Sequence, residues 1–400
     1  MNRDDFPIFN INKDLIYFDN GATTLKPQKV IDSMTEYYSS YTANAHRGDY
    51  DNSVEVDQKY EGVREKIKSF INADKSAEII FTSGATNSLN MIVFGFMKNY
   101  LKDGDEVLIT KSEHASNILP WMELANSVGI KVKFIKLDDD YSVTKENLLS
   151  AITPKTKVVS LAHITNVIGD IRDLEMIGKI CKDKNLLFVV DAAQSIGHIR
   201  VDVKKYNIDF LAFSAHKMLG PTGTGVLYGK YELLDKLIPL SYGGGMNSFF
   251  ESTGEVEYKE LPWRLEAGTQ NIAGVIGMGK ALEYIENIGI ENIHRYEVEL
   301  KEYALKRFKD IPGLTIYNEN IPSGIIVFNV EKIFSQDLAL YLNHYKICVR
   351  SGNHCAKILK EEIKATNTCR VSFYFYNTKE EIDKMADVLE NRGNIFDIIL

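Results

Sequence analysis

Cysteine is scarce. Four occur in 400 residues: Cys181, Cys348, Cys355 and Cys369. That is too few for a disulfide framework in a chain of this length. No two form a Cys-x-x-Cys pair, so a structural zinc site is not expected. His354 and Cys355 are neighbours, but adjacent residues rarely both ligate one ion, and no metal is expected. Cys181, in a helix-like segment before a strand, reads as a small core residue. Long apolar runs are also missing, and none approaches the ~18 residues of a membrane span. The opening Met-Asn-Arg-Asp-Asp-Phe-Pro lacks the basic-then-apolar order of a secretory leader. Positive charge is not in excess. A net charge of −8 argues against broad binding to nucleic acid or to an anionic membrane, while leaving room for a local basic pocket for phosphate. Internal repeats and low-complexity segments are absent. The expectation is a cytoplasmic protein of ordinary globular composition, 44% hydrophobic and 26% charged. Its length points to about two domains.

Strand and helix signals alternate along most of the chain. Ile16 to Phe18 leads to the turn-rich Asp-Asn-Gly-Ala-Thr-Thr of 19–24. Two amphipathic helices follow, the second carrying Val56, Tyr60, Val63, Ile67 and Phe70 on one face. Strands are expected at 78–82, 106–110, 131–137, 156–163, 186–190 and 210–213, with helices at 87–100 and 174–185. This rhythm predicts an α/β fold with a mainly parallel sheet covered by helices on both faces. After about Gly279 the pattern changes to a long helix over 290–308, short strands, and a last helix capped by Asn377 with Glu380 at N3. We therefore expect a large domain over 12–285 and a smaller α+β domain from 1–11 and 286–400.

Ligands in such sheets bind outside the carboxyl ends of the strands, and four groups of chemistry-bearing residues fall there. The apolar run Phe210 to Phe213 stops at Ser214-Ala-His-Lys217. A lysine ending a buried strand loses solvation, which lowers its pKa and makes it a usable nucleophile, as for a Schiff base with pyridoxal phosphate. Alone it reads equally well as a surface lysine on a turn. Ser83-Gly-Ala-Thr86 stands between a strand and a helix, where small residues and free N–H groups suit an anion. It is also an ordinary N-cap turn, and it matches neither the P-loop nor the dinucleotide pattern. Asp191 ends Leu-Leu-Phe-Val-Val. It could face a pyridinium nitrogen and keep the ring protonated, with Gln194 reaching the ring hydroxyl, or simply cap the next helix. His114, after the strand at 106–110, could stack on a flat cofactor and move protons, or be solvated. Their order along the chain is what a cofactor laid across successive strand ends requires.

Asp191-Ala-Ala-Gln194, followed by Lys217 in Ser-Ala-His-Lys 26 residues after the aspartate, and Arg350-Ser-Gly-Asn-His-Cys355-Ala resemble the cysteine desulfurases. These are fold-type I pyridoxal phosphate enzymes of the class V aminotransferase group. The likeness runs from about Phe6 to the C-terminal helix. Cys369-Arg370 begins only fourteen positions after Cys355. That short spacing, with Arg-x-Gly-x-His-Cys-Ala, is similar to the SufS-like (group II) branch and the related selenocysteine lyases rather than the NifS/IscS type. That branch usually has His-His before the cysteine; here the pair is Asn353-His354, and no proton role carries over to position 353.

The resemblance implies a homodimer that converts L-cysteine to L-alanine and leaves a persulfide on Cys355. A SufE-like or SufU-like protein would accept the sulfur, for iron–sulfur cluster assembly. It further implies that Ala85, Thr86, Ser214 and His216 hold the cofactor phosphate and that Thr269 reaches the phosphate of the partner subunit's site. Asn166 would lie near the ring hydroxyl and substrate, and Arg370 would bind the substrate carboxylate. His46 and Arg350 would line the entrance. A free thiol, with pKa ~8.5, is mostly protonated at neutral pH, so the nucleophile needs a proton acceptor; His354 is adjacent in sequence, which does not fix its geometry. A selenocysteine lyase, or a class V enzyme in which Cys355 is incidental, would use the same pocket. A non-catalytic scaffold is the remaining alternative, against which the intact set Lys217, Asp191, Cys355 and Arg370 speaks.

Overall fold

The computed structural model describes residues 3–393, 395 and 397. Its frame is a seven-stranded sheet in the order Ile79–Thr82, Gly225–Gly229, Phe210–Ser214, Leu187–Asp191, Thr156–Ala162, Glu106–Ile109 and Lys131–Phe134. Neighbours run parallel except at Gly225–Gly229, which is antiparallel to both of its partners. The inner strands are apolar at nearly every position because both faces are covered. Alternation decides which side each residue serves. Phe188 and Val190 join the core under the helices Gln28–Ser40, Asp51–Phe70 and Ile272–Ile288. Val189 joins the opposite core with Trp121, Leu124 and Ile92. Val56, Tyr60, Val63, Ile67 and Phe70 are buried as one face of their helix.

Three local features depart from the sequence expectation. The strand Gly225–Gly229 was not anticipated, because Val-Leu-Tyr between two glycines is too short a run to stand out. It turns the lysine-bearing stretch into the connection of an antiparallel pair, with Ser214 opposite Gly225. The expected single helix over 87–100 begins at Ala85 and widens to a π-helix over Met91–Met97. Gly95 lies there with so little room that a Cβ would stand 2.6 Å from the Ile238 carbonyl oxygen. The last helix, Lys379–Glu390, is capped by Thr378 with Glu381 at N3, one residue later than expected. Asn377 cannot cap because it is fully buried. Its amide donates to the Tyr17 carbonyl at 2.9 Å, and its side-chain oxygen accepts from the Tyr374 N–H at 2.9 Å.

A four-stranded antiparallel sheet, in the order Leu314–Ile316, Ile325–Val330, Thr368–Ser372 and Arg350–Gly352, forms a second layer system. Its core includes Leu300, Phe308, Phe328, Tyr341, Val371, Met385 and Leu389, from the sheet and from helices Ile290–Phe308, Ser335–His344 and Lys379–Glu390. The chain start ties the two systems together. Ile16–Tyr17 pairs in parallel with Ile347–Cys348, and Phe18 packs edge-on to Phe373. Phe6 packs among Tyr284, Phe375 and Tyr376. No helix of the described residues is long and apolar enough to cross a membrane.

Candidate active site

Four parallel strands, Glu106–Ile109, Thr156–Ala162, Leu187–Asp191 and Phe210–Ser214, send their following loops to one edge of the sheet. There they meet the turn after Ile79–Thr82 and border a cavity of about 240 Å³. The wall contains Ala85, Thr86, His114, Asn166, Asp191, Gln194, Ser214, His216, Lys217, Arg350, Cys355 and Arg370, twelve of the fourteen candidates named from sequence. His46 and Thr269 lie elsewhere. His46 lines a separate cavity of about 220 Å³ with Arg47, Trp263 and Glu266, and its Nε2 is 3.1 Å from Glu61. Thr269 sits between two residues of that second wall, Gly268 and Gln270, and its hydroxyl accepts from Asn44 at 3.3 Å.

Lys217 ends the 3-10 turn Ala215–Lys217 and keeps part of its surface open to the cavity. Burial lowers its amine from 10.5 to about 8, with Asp191 opposing the shift and Arg370 adding to it. The turn is gripped through the His216 carbonyl. That oxygen accepts from the Thr24 N–H at 2.9 Å, the Thr23 hydroxyl at 3.0 Å and the Lys26 amine at 3.1 Å. Asp191 is 5% exposed, and its Oδ1 accepts from the Ala193 N–H at 2.9 Å. Burial raises its carboxyl above the ordinary range, against the Ala193 N–H and Lys217.

The turn before helix Ala85–Asn90 is cross-linked to two other strand ends. The Ala85 N–H donates to the Ser214 hydroxyl at 2.8 Å, and the Thr86 and Ser116 hydroxyls share a 2.7 Å hydrogen bond. Gly84, at φ 148°, and Gly225 permit this approach; a Cβ on Gly225 would stand 2.4 Å from the Gly84 Cα. His114 Nδ1 accepts from the Ser116 N–H at 3.1 Å, which leaves the ring proton on Nε2. Burial, with Lys217 and Arg370 nearby, lowers His114 to about 4, so the imidazole is neutral at pH 7. Its loop is anchored by the fully buried Glu113. This carboxylate accepts from Thr110 at 2.7 Å, Asn117 at 2.9 Å and the Ala162 N–H at 2.7 Å. Glu113 was not singled out from sequence; its signal was a carboxylate beside the candidate histidine at a strand end. Gln194 donates to the Gly21 carbonyl at 2.7 Å.

Arg370 comes from an inner strand of the smaller sheet, Thr368–Ser372, and is 3% exposed. One arm donates to the Asn166 carbonyl at 2.7 Å and the other pairs with Asp19 at 3.0 Å, while Nε has no partner. The guanidinium lies against Gly21, where a Cβ would stand 3.0 Å from its central carbon. Asp19 is also 3.9 Å from Arg350. Asn166 donates to the His354 carbonyl at 2.7 Å, and its own side-chain oxygen has no partner. Cys355 is exposed. His354 is buried, with Nε2 2.9 Å from the Thr368 hydroxyl, and burial with Arg370 lowers it to about 3. Its ring is engaged with the neighbouring strand. Among the described residues no cluster of His, Cys, Asp or Glu could hold a metal ion.

The chain matches the model of the class V aminotransferases over residues 16–385. It is 42% identical over 385 residues to a Halalkalibacterium halodurans protein described as "Probable cysteine desulfurase", covering 96% of this chain and 94% of that one. A Borreliella burgdorferi protein of the same description is 43% identical over 392 residues, covering 95% and 93%. The apo structure of a cysteine desulfurase from Thermococcus onnurineus superposes with a TM-score of 0.93 at 39% identity, covering 98% of this chain and 96% of that one. The cysteine desulfurase CsdA from Escherichia coli does so with 0.91 at 33%, covering 100% and 98%. Pyridoxal phosphate is the cofactor this family uses. The cavity suits it: a desolvated amine, a buried carboxylate that accepts from the Ala193 N–H, and unpartnered polar atoms on Asn166 and Arg370. Matched from its first strand into its last helix, with a fold-type I sheet and this cavity at the strand ends, the chain belongs to the class V aminotransferase family of pyridoxal phosphate enzymes.

Proposed function

We propose that the chain is a cysteine desulfurase of the SufS-like branch, converting L-cysteine to L-alanine with a persulfide on Cys355. The observation that carries this reading is that Cys355 and Arg370 border the same cavity as Lys217 and Asp191. Pyridoxal phosphate, when bound, supplies an electron sink conjugated to the substrate α-carbon. Lys217 would hold it, Asp191 would serve its ring nitrogen, and Asn166 and Gln194 its ring hydroxyl. Ala85, Thr86, Ser214 and His216 would hold its phosphate.

Arg370 takes the substrate carboxylate, offering the Nε edge that has no partner in the chain. Lys217 accepts the α-proton and, once the sulfur has left, returns a proton to the α-carbon. Cys355 attacks the substrate sulfur as thiolate. The sulfur–sulfur bond forms as the carbon–sulfur bond breaks, and the electron pair and a proton go to the carbon that becomes the alanine methyl. Neutral His114, with its proton on Nε2, serves as the local proton carrier. His354 is not the base for the thiol, because its ring is buried against Thr368.

Residues 12–285 make the cofactor-binding unit, and 1–11 with 286–400 the unit that carries Cys355. Thr269, away from this cavity, serves the partner subunit's site in a homodimer, and Arg350 lines the entrance; His46, expected beside Arg350, lines the second cavity instead. The Cys355 carbonyl accepts from the Ala115 N–H at 2.7 Å. A cysteine held this way does not carry its sulfur far, so a SufE-like or SufU-like acceptor docks at the mouth. The destination is iron–sulfur cluster assembly in the cytoplasm. Adding L-cysteine to the holoprotein should release alanine and, with a reductant, sulfide. Cys355→Ala should abolish sulfide release; a variant that still turns over at the native rate would remove Cys355 from the reaction.

A further inference from the structure

The segment that presents Cys355 reverses direction within a few residues. Gly352, His354 and Cys355 have φ of 111°, 52° and 57°. Glycine accepts such values, but consecutive histidine and cysteine in the left-handed region persist only where their surroundings hold them. Two of those holds come from outside the segment: the Ala115 N–H on the Cys355 carbonyl and the Asn166 amide on the His354 carbonyl, each at 2.7 Å. A third comes from inside. The Cys355 N–H donates to Asn353 Oδ1 at 3.2 Å, and the Ala356 N–H donates to the Asn353 carbonyl at 2.8 Å. A side-chain amide that takes the N–H two residues on is an Asx turn, a closure that serine makes more weakly and alanine or leucine cannot make. His354 cannot substitute, since its ring is held by Thr368.

We propose that Asn353 is a positioning residue for Cys355, its side-chain oxygen closing the turn that aims the thiol into the cavity beside Arg350 and Arg370. The inference rests on Cys355 being the sulfur acceptor. Asn353 does not line the cavity, and it is exposed, so its replacement leaves the core intact.

The test compares holoprotein Asn353→Ala, Asn353→Leu and Asn353→Ser with the parent protein and with Cys355→Ala. Two quantities are read: kcat and KM for L-cysteine, and the rate at which iodoacetate modifies Cys355 relative to iodoacetamide. The modification is followed on the Cys355 peptide by mass spectrometry, because Cys348 is also partly exposed. Iodoacetate carries a carboxylate, so its preference reports a thiol aimed at the two arginines. Loss of aim should lower kcat about tenfold in the Ala and Leu variants, with KM changed by less than about twofold and about a third of kcat kept in Ser. The iodoacetate preference should fall in the same order. Native kcat and native preference in Asn353→Ala, with Cys355→Ala inactive, would overturn the inference and leave the function standing. A Ser variant as impaired as Leu would also overturn it, since a hydrogen-bond acceptor at this position would then make no difference. Turnover retained by Cys355→Ala would defeat the function, and the catalytic consequence of the turn with it.

Discussion

Lys217 owes its reactivity to where a strand stops. Burial brings its amine from 10.5 to about 8, so competitive acetylation of the apoprotein should show half-maximal labelling of Lys217 near pH 8. Ordinary lysines label near ~10.4, and a midpoint there for Lys217 would refute the desolvated site. The sign for stability follows. Between those two values the unfolded chain holds the proton that the fold has released, so this group makes the apoprotein gain stability as pH rises through that window. Well below pH 8 both states are protonated and the contribution is constant. Arg370 is set by a fork of contacts to Asn166 and Asp19. Arg370→Lys keeps the charge and loses the fork, so KM for cysteine should rise about tenfold with a smaller change in kcat; an unchanged KM would contradict the carboxylate role. The candidates legible in sequence were side chains whose chemistry is conspicuous at a strand end. Asp19 was not legible, nor was the engagement of His354 by Thr368. Those roles arise from partners distant in sequence, and nothing local marks them.

At the scale of elements, the turn after Ile79–Thr82 is shaped by a strand that arrives much later, Gly225–Gly229. Gly225→Ala would push a methyl into the Gly84 backbone. Overpacking there should cost roughly 1–3 kcal/mol and lower retention of the cofactor, read by the urea midpoint and by bound-cofactor absorbance. Gly62→Ala is the control. It lies inside helix Asp51–Phe70, where an added Cβ meets nothing within 4 Å, and it should stabilise by roughly 0.5–1 kcal/mol. Equal effects of the two would show that local space at Gly225 is not what matters. The βαβ alternation was readable because buried parallel strands are continuous apolar runs. The π-helical widening over Met91–Met97 was not, since it follows from the approach of Ile238 to Gly95. The shifted cap of the last helix has a like cause: Asn377 is drawn inward by Tyr17 and Tyr374.

Across the whole molecule, the cavity exists because the chain start crosses between two sheets. Gly21 receives Gln194, Asp19 holds Arg370, and Thr23, Thr24 and Lys26 hold the lysine turn. Composition and rhythm revealed both sheets, but not this strap, whose turn-rich sequence has no periodicity. Thr269, proposed to serve the partner subunit's site, lies away from this cavity, and His46, expected at its entrance, lines the second cavity instead. Sedimentation equilibrium should give twice the chain mass at micromolar concentration, and a monomer of full activity would contradict that assignment. The central claim, that sulfur passes to Cys355, is tested most directly by exposing reductant-free holoprotein to L-cysteine and weighing its peptides. The account predicts one added sulfur atom on the Cys355 peptide, removable by dithiothreitol and matched by one alanine per site. Alanine released with no sulfur on Cys355, or with the sulfur on Cys348, would contradict it.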